Sequence, residues 1–387
     1  MMDNGMLIWL LLAAVTALVM MLVVVSIARG FDRSKPAASV APALRKAFGL
    51  STSVRPDDTE SSKKQVKSVV GIVAGLAAIA GVIGFVKNFN DGDIDPEISE
   101  IAAGELRGTM VNARNSDPLV LIVPGSGPTD RDGNGPMIRT DAYKLLAEGL
   151  IEERIASVRI DKRGMFASAG AGDPNAVTPD LYVADIHAWI DAIKEARGPD
   201  SGCIFLLGHS EGALMSSLAA EGRDDVCGLI LIAGMGRKMG DVVRQQLRDN
   251  PANAPLLDQA LAALAELEAG RRVDTTNMHP ALLPLFAPQV QDYLISVINI
   301  DPVEAVRRAN KQTLIVQGKT DLQVTVDDAR LLDKAPKTKL QLIDGMNHVL
   351  KKAPANRAAN LATYADSSLP LAPKLVSRIE DFVEDYD

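Results

Sequence analysis

From about residue 102 onward, short apolar runs alternate with segments of helical spacing. Leu119–Val123, Ile155–Ile160, Cys203–Leu207, Gly228–Ile232, Thr313–Gln317 and Lys339–Ile343 each have the length and apolar content of a strand buried on both faces. Between many of them the period changes. In Asp180–Lys194 the residues Tyr182, Val183, Ile186, Trp189, Ile190 and Ile193 recur on one helical face. Strands alternating with helices predict a mainly parallel sheet covered on both sides, and right-handed crossovers leave a doubly wound α/β topology. Residues 237–311 break the rhythm: they hold no convincing strand and include helical segments at Ala254–Ala269 and Gln289–Asn299. An insertion of that size between two strands predicts a helical cap over the strand ends.

The amino-terminal part has another texture. Residues 4–28 carry no charge and are mostly Leu, Val, Ala, Met and Ile, enough at 1.5 Å per residue to cross a hydrocarbon core of roughly 30 Å. With no basic start and no small-x-small cleavage site, this stretch predicts an uncleaved transmembrane anchor. A second uncharged stretch, 68–86, contains Gly71-x-x-x-Gly75 and predicts a second transmembrane or interfacial helix. Between them, residues 29–67 are rich in Pro, Ser, Ala, Lys and Arg, the composition of a basic disordered loop. The positive-inside bias puts that loop in the cytoplasm, and the main domain, 102–387, in the periplasm or extracellular space. A single true span would reverse the side.

Composition narrows the function. A formal charge of −8 removes the electrostatic basis for nucleic-acid binding. Aromatic residues are only 4% of the chain while hydrophobic residues are 47%, so the apolar mass is aliphatic, as suits an α/β core or membrane helices. The two cysteines, Cys203 and Cys227, lack metal spacing. Each sits at the start of a predicted strand. Two small buried hydrophobes is the simpler reading, and a disulfide is open if the domain is exported.

The chemistry concentrates at Gly208-His209-Ser210-Glu211-Gly212. A hydrophobic strand precedes this Gly-x-Ser-x-Gly run and a good helix former follows it, the strand–turn–helix context of a nucleophile elbow. So sharp a turn strains the serine backbone, and flanking glycines avoid clashes between strand and helix. A serine nucleophile needs a base, and the chain has four histidines. His209 lies within the elbow, with its side chain expected to point away from Ser210. His187 falls on the polar face of a helix and reads as a surface residue, and His279 sits in the cap. His348 follows the strand Lys339–Ile343, in a loop at the strand carboxyl end, and by elimination is the base. Asp321, just beyond Thr313–Gln317, is the candidate to orient it; Asp327 and Asp328 read as helix-start residues. The oxyanion donors are expected to be the backbone N–H groups of Glu211 and of Ser126, in the loop Pro124–Pro128.

The stretches 124–134, Asp161-Lys162-Arg163-Gly164, Gly208–Gly212 and Asn347–Lys351 resemble a group of bacterial α/β-hydrolases related to the serine aminopeptidase-like and monoacylglycerol-lipase-like enzymes, including secreted carboxylesterases. The likeness covers about residues 102–387. It implies the α/β-hydrolase fold and a Ser-His-Asp triad at Ser210, His348 and Asp321; the chemistry of such a triad calls for neither metal nor cofactor, and the apolar residues of the cap point to a small or medium acyl ester as substrate. In a bacterium the anchor would lie in the inner membrane. Asp130, Arg131 and Asp132 are expected to order the loop beside the oxyanion hole, and Asp161 and Arg163 to tie down a turn. A peptidase or thioesterase on the same scaffold, and an inactive membrane-tethered binding protein, are the alternatives. Oligomeric state is left open. Leu282, Leu283, Leu285 and Phe286, with Met235 and Met239, would line an acyl pocket or pack the cap.

Overall fold

The computed structural model describes residues 96–387 apart from 137, 200 and 387. The expected spans at 4–28 and 68–86 and the basic loop at 29–67 lie outside the described residues. Among the described residues, no helix is long and apolar enough to cross a membrane.

One sheet of eight strands organises these residues: β1 (Glu97–Ala103), β2 (Leu106–Asn112), β3 (Leu119–Val123), β4 (Ala156–Ile160), β5 (Ile204–His209), β6 (Val226–Ile232), β7 (Gln312–Gly318) and β8 (Thr338–Ile343). The spatial order is β1-β2-β4-β3-β5-β6-β7-β8, and β2 alone runs against its neighbours on both sides. The six apolar runs read from the sequence all become strands, with ends shifted by a residue or two. The hairpin β1–β2 is an addition. Glu97 and Glu100 lie exposed on β1, so the sheet begins before residue 102.

The helices follow in chain order: α1 (Ala142–Glu152), α2 (Pro179–Arg197), α3 (Glu211–Ala219), α4 (Met239–Asp249), α5 (Leu257–Glu268), the single turn α6 (Leu283–Phe286), α7 (Pro288–Val297), α8 (Pro302–Ala309), α9 (Val326–Leu332), α10 (Arg357–Ala362) and α11 (Leu375–Glu384). The pleat divides the core between them, because successive strand side chains point to opposite faces. Leu119, Leu121 and Val123 of β3 face the layer holding Ile186, Trp189 and Ile190 of α2 and Leu214 of α3. Val120 and Ile122 face Leu146 and Leu150 of α1 and Ile379 of α11. Both faces are covered, which is why the central strands are apolar throughout rather than alternating.

Helices α4 to α8 fill the chain between β6 and β7. Their buried side chains, among them Leu247, Leu264, Leu267 and Phe286, join the same core as α2 and α3, as does Leu282 in the turn before α6. Cys203 and Cys227 sit at the starts of the neighbouring strands β5 and β6, with Cα atoms 5.9 Å apart, and form a disulfide. This corrects the reading of two independent small hydrophobes: neighbouring parallel strands bring the two residues within bonding reach.

Candidate active site

The sheet places three side chains at one rim. Ser210 follows β5 directly with φ 56° and ψ −120°, outside the ordinary regions for a residue with a side chain. The glycines explain how the turn closes. A methyl on Gly208 would overlap the backbone of Gly212, and one on Gly212 would overlap the carbonyl of Val123. Helix α3 starts at Glu211, so its amino-terminal N–H groups point towards the space above Ser210.

His348, in the loop after β8, approaches with Nε2 3.1 Å from Ser210 Oγ. Its Nδ1 lies 2.9 Å from Asp321 Oδ2, in the loop after β7. Asp321 is held in turn by the backbone N–H groups of Gln323 and Val324, at 2.7 and 3.0 Å on Oδ1, and by Gln317 Nε2 at 3.3 Å on Oδ2. Burial acts to raise this carboxyl, but the His348 charge and hydrogen bond and the two N–H donors outweigh it and hold it below the usual carboxylate range. It is therefore an anion whose partner nitrogen is fixed as the N–H tautomer. Asp328 takes the alternative expected of it: it closes a capping box with Thr325 at the start of α9 and pairs with Arg237.

The other histidines separate cleanly. His279 caps a short turn and is exposed. His187 is half-buried rather than on the surface, because its Nε2 bonds the carbonyl of Ala219 at 2.8 Å. His209 turns away from Ser210 into a buried network that residue patterns do not reveal. Its Nδ1 lies 2.8 Å from Tyr143 Oη, and its Nε2 lies 2.8 Å from the His348 carbonyl. The Gly125 N–H reaches the same Tyr143 hydroxyl at 3.4 Å. Burial, followed by the nearby His348, pushes His209 down to about 3, so it is neutral at ordinary pH. The consistent assignment has Tyr143 donating to Nδ1 and Nε2–H donating to His348, which ties the elbow to the loop that carries His348.

Ser126 and Glu211 both line the cavity beside Ser210. A Cβ on Gly125 would press on Ser210 Cβ at 3.0 Å, so only glycine lets this loop approach the hydroxyl so closely. Arg131 bonds both carboxylate oxygens of Asp161 at 2.9 Å, and Asp130 Oδ1 accepts from Asp132 and Asn134, which orders the loop that follows. Arg163 pairs with Asp185 of α2. Two polar side chains have contacts at the site that the expected roles did not include. Lys162 is buried, with Nζ 2.7 Å from the Gly125 carbonyl and 2.5 Å from that of Gly127. The Glu211 side chain is buried and accepts from the Tyr293 hydroxyl of α7 at 2.6 Å. The position of Lys162 just after β4, at the rim where parallel strands present their ligand loops, was the available signal.

Above Ser210 lies a cavity of about 650 Å³. Met235, Met239 and Leu285 line it, along with Val242, Val290 and Leu294, whereas Leu282 and Phe286 pack inside the core. The apolar residues expected between β6 and β7 thus divide between pocket and packing.

A mainly parallel sheet in this strand order, with an elbow after β5 and a histidine after β8, is the architecture of the α/β-hydrolases. The family model described as serine aminopeptidase, S33 (Hydrolase_4) matches residues 135–272. The solved structure of DcsB in complex with its substrate analogue superposes with a TM-score of 0.50 at 16% identity, covering 76% of this chain and all 100% of that one. An esterase from Pyrococcus furiosus is similar at 15% identity, covering 76% of this chain and 91% of its own, with a TM-score of 0.48. The α/β-hydrolase GrgF from a Penicillium species reaches 20% identity over 75% of this chain and 98% of its own, also at 0.48. No curated protein sequence matches the chain. The chain has the α/β-hydrolase fold, and within it residues 135–272 are similar to the serine aminopeptidase family.

Proposed function

We propose that this chain is a serine hydrolase that cleaves carboxylic ester-type bonds of apolar acyl groups. The relay from Asp321 through His348 to Ser210, at 2.9 and 3.1 Å, is the observation that carries the reading. His348 Nε2 takes the Ser210 proton as Oγ attacks the carbonyl carbon, and Asp321 stabilises the imidazolium. The oxyanion forms against the N–H groups of Glu211 and Ser126. His348 then gives its proton to the leaving alcohol, and a water molecule, deprotonated by the same imidazole, releases the acid. The aliphatic cavity favours an uncharged acyl group. Expected labelling of Ser210 by a fluorophosphonate probe, lost in Ser210→Ala, tests the nucleophile. Wild-type protein that turns over esters without being labelled would overturn it.

An aminopeptidase is the second reading, favoured by the family description. It would need a free anion for the substrate ammonium. Among the described residues lining the cavity, Glu211 is the one carboxylate, and it already accepts from Tyr293 and attracts Lys162. Parallel turnover of p-nitrophenyl esters, thioesters and aminoacyl amides is expected to favour the esters, and faster amide cleavage would favour the peptidase.

The same reading places the enzyme on a membrane, anchored through 4–28 and 68–86 with its catalytic domain on the outer side. Two apolar stretches flanking a basic loop support this, as does the Cys203–Cys227 bridge, since disulfides persist in oxidising compartments. A membrane-impermeant fluorophosphonate is expected to label intact cells as well as permeabilised ones. Labelling only after permeabilisation would reverse the topology.

A further inference from the structure

Lysine is rarely buried unless its ammonium has a specific task, because removing a charge from water is costly. Lys162 is buried beside the nucleophile, and both of its hydrogen bonds go to the loop Gly125-Ser126-Gly127. Such a loop has little stiffness of its own: Gly125 and Gly127 flank the serine, and Gly127 adopts φ +76°. The carbonyl of Gly125 and the N–H of Ser126 belong to one peptide group. That group is planar and trans, so the two point in opposite directions. A cation on the oxygen fixes which way the N–H faces and makes it a stronger donor, since linked hydrogen bonds polarise one another in a low-dielectric site.

We propose that Lys162 is a positioning residue of the oxyanion pocket: its bond to the Gly125 carbonyl fixes and polarises the peptide whose N–H, that of Ser126, meets the developing negative charge, and its bond to the Gly127 carbonyl holds the loop on the other side of Ser126. This rests on Ser126 and Glu211 supplying the oxyanion donors. A compact ammonium suits the task, since its donors can diverge to two carbonyls where a planar guanidinium presents a rigid fork.

The groups facing Lys162 are Glu211 from α3, Tyr182 and Asp185 from α2 and, through its bond to Glu211, Tyr293 from α7. Asp185 is paired with Arg163. Burial raises both tyrosines above their usual range, so neither ionises near neutrality. Burial lowers Lys162 to about 8, with Glu211 opposing the shift. Raising the pH through that value removes the charge from the loop while Asp321 and His348 stay in place.

The test is steady-state hydrolysis of a p-nitrophenyl ester from pH 6 to 10 by wild type, Lys162→Met and Lys162→Arg, with fluorophosphonate labelling and thermal midpoints in parallel. Lys162→Met is expected to lower kcat by about 100-fold, the scale of one lost oxyanion donor, with KM changed less than about threefold. Wild-type kcat is expected to fall above pH 8, and Lys162→Arg to recover part of the activity without that alkaline fall. If Lys162→Met keeps kcat within about threefold of wild type, the inference is overturned and the serine-hydrolase reading stands. If wild type neither hydrolyses the ester nor is labelled, both are overturned. Should Lys162→Met lack a thermal transition, the decision passes to the other two proteins: an identical alkaline fall in Lys162→Arg, or none in wild type, also overturns the inference.

Discussion

β5 begins beside Cys203 and ends just before Ser210, and its two ends are built on different principles. At the carboxyl end the chain is strained and charged. Ser210 and Ala233, the residues just past β5 and β6, both have positive φ, and Asp321, Lys162 and Glu211 are enclosed nearby. At the amino end the same two strands are joined covalently by Cys203–Cys227, with no strained residue beside it among the described ones. The contrast shows how a parallel sheet separates tasks. Strain and enclosed charge lower stability at the rim where chemistry needs them, and ordinary packing and a cross-link contribute stability at the other end.

Substitutions at each end should therefore fail differently. Asp321→Asn, the largest expected effect, should lower kcat by about 10⁴-fold by allowing the wrong imidazole tautomer, with little loss of folding stability. Steady-state kinetics alongside a urea titration checks it; a large loss of stability with modest loss of kcat would contradict the division. The opposite pattern is expected for Cys203→Ala/Cys227→Ala. Opening a bridge between residues 24 apart should cost about 3 kcal/mol while leaving kcat within about twofold.

His209 sits at the rim, yet its expected effect is on stability and depends on pH. Its folded value of about 3 lies below the usual histidine value near 6.5, so the unfolded chain binds a proton that the folded one refuses. The stability it supports is complete above about pH 6.5 and is lost progressively as pH falls towards 3. Between pH 6.5 and 5 that loss is about 2 kcal/mol. His209→Gln should be less stable at pH 7 but lack this part of the acid dependence, as urea midpoints at the two pH values would show. An unchanged slope would mean that the imidazole is not buried neutral.

The smallest effect should come from Tyr293→Phe. It leaves the enclosed Glu211 carboxylate without its hydroxyl donor, and about a tenfold loss in kcat/KM is expected. No change would mean that α7 touches the elbow without influencing it.

The same division explains what the sequence made legible. The central strands could be read because burial on both faces leaves uninterrupted aliphatic runs, and the elbow because steric demands force glycine at 208 and 212. Asp321 and His348 followed from loop position at the strand carboxyl ends. β1 escaped because an edge strand such as Glu-Ile-Ser-Glu-Ile-Ala-Ala carries exposed charges and resembles a linker. Lys162, Tyr143 and Tyr293 escaped for another reason. Each acts through a contact between residues distant in the chain, and nothing in local period or spacing records that a lysine or tyrosine points inward. The disulfide likewise depends on which strands are neighbours, and the sheet order supplies that.

The central claim is a covalent acyl-enzyme on Ser210, and rapid-quench mass spectrometry addresses it most directly. Wild-type protein mixed with excess p-nitrophenyl ester and quenched in acid within milliseconds should gain the mass of one acyl group on the peptide containing Ser210, in step with a burst of p-nitrophenol. Steady hydrolysis with no adduct on that peptide, or with the acyl group on another residue, would contradict the account.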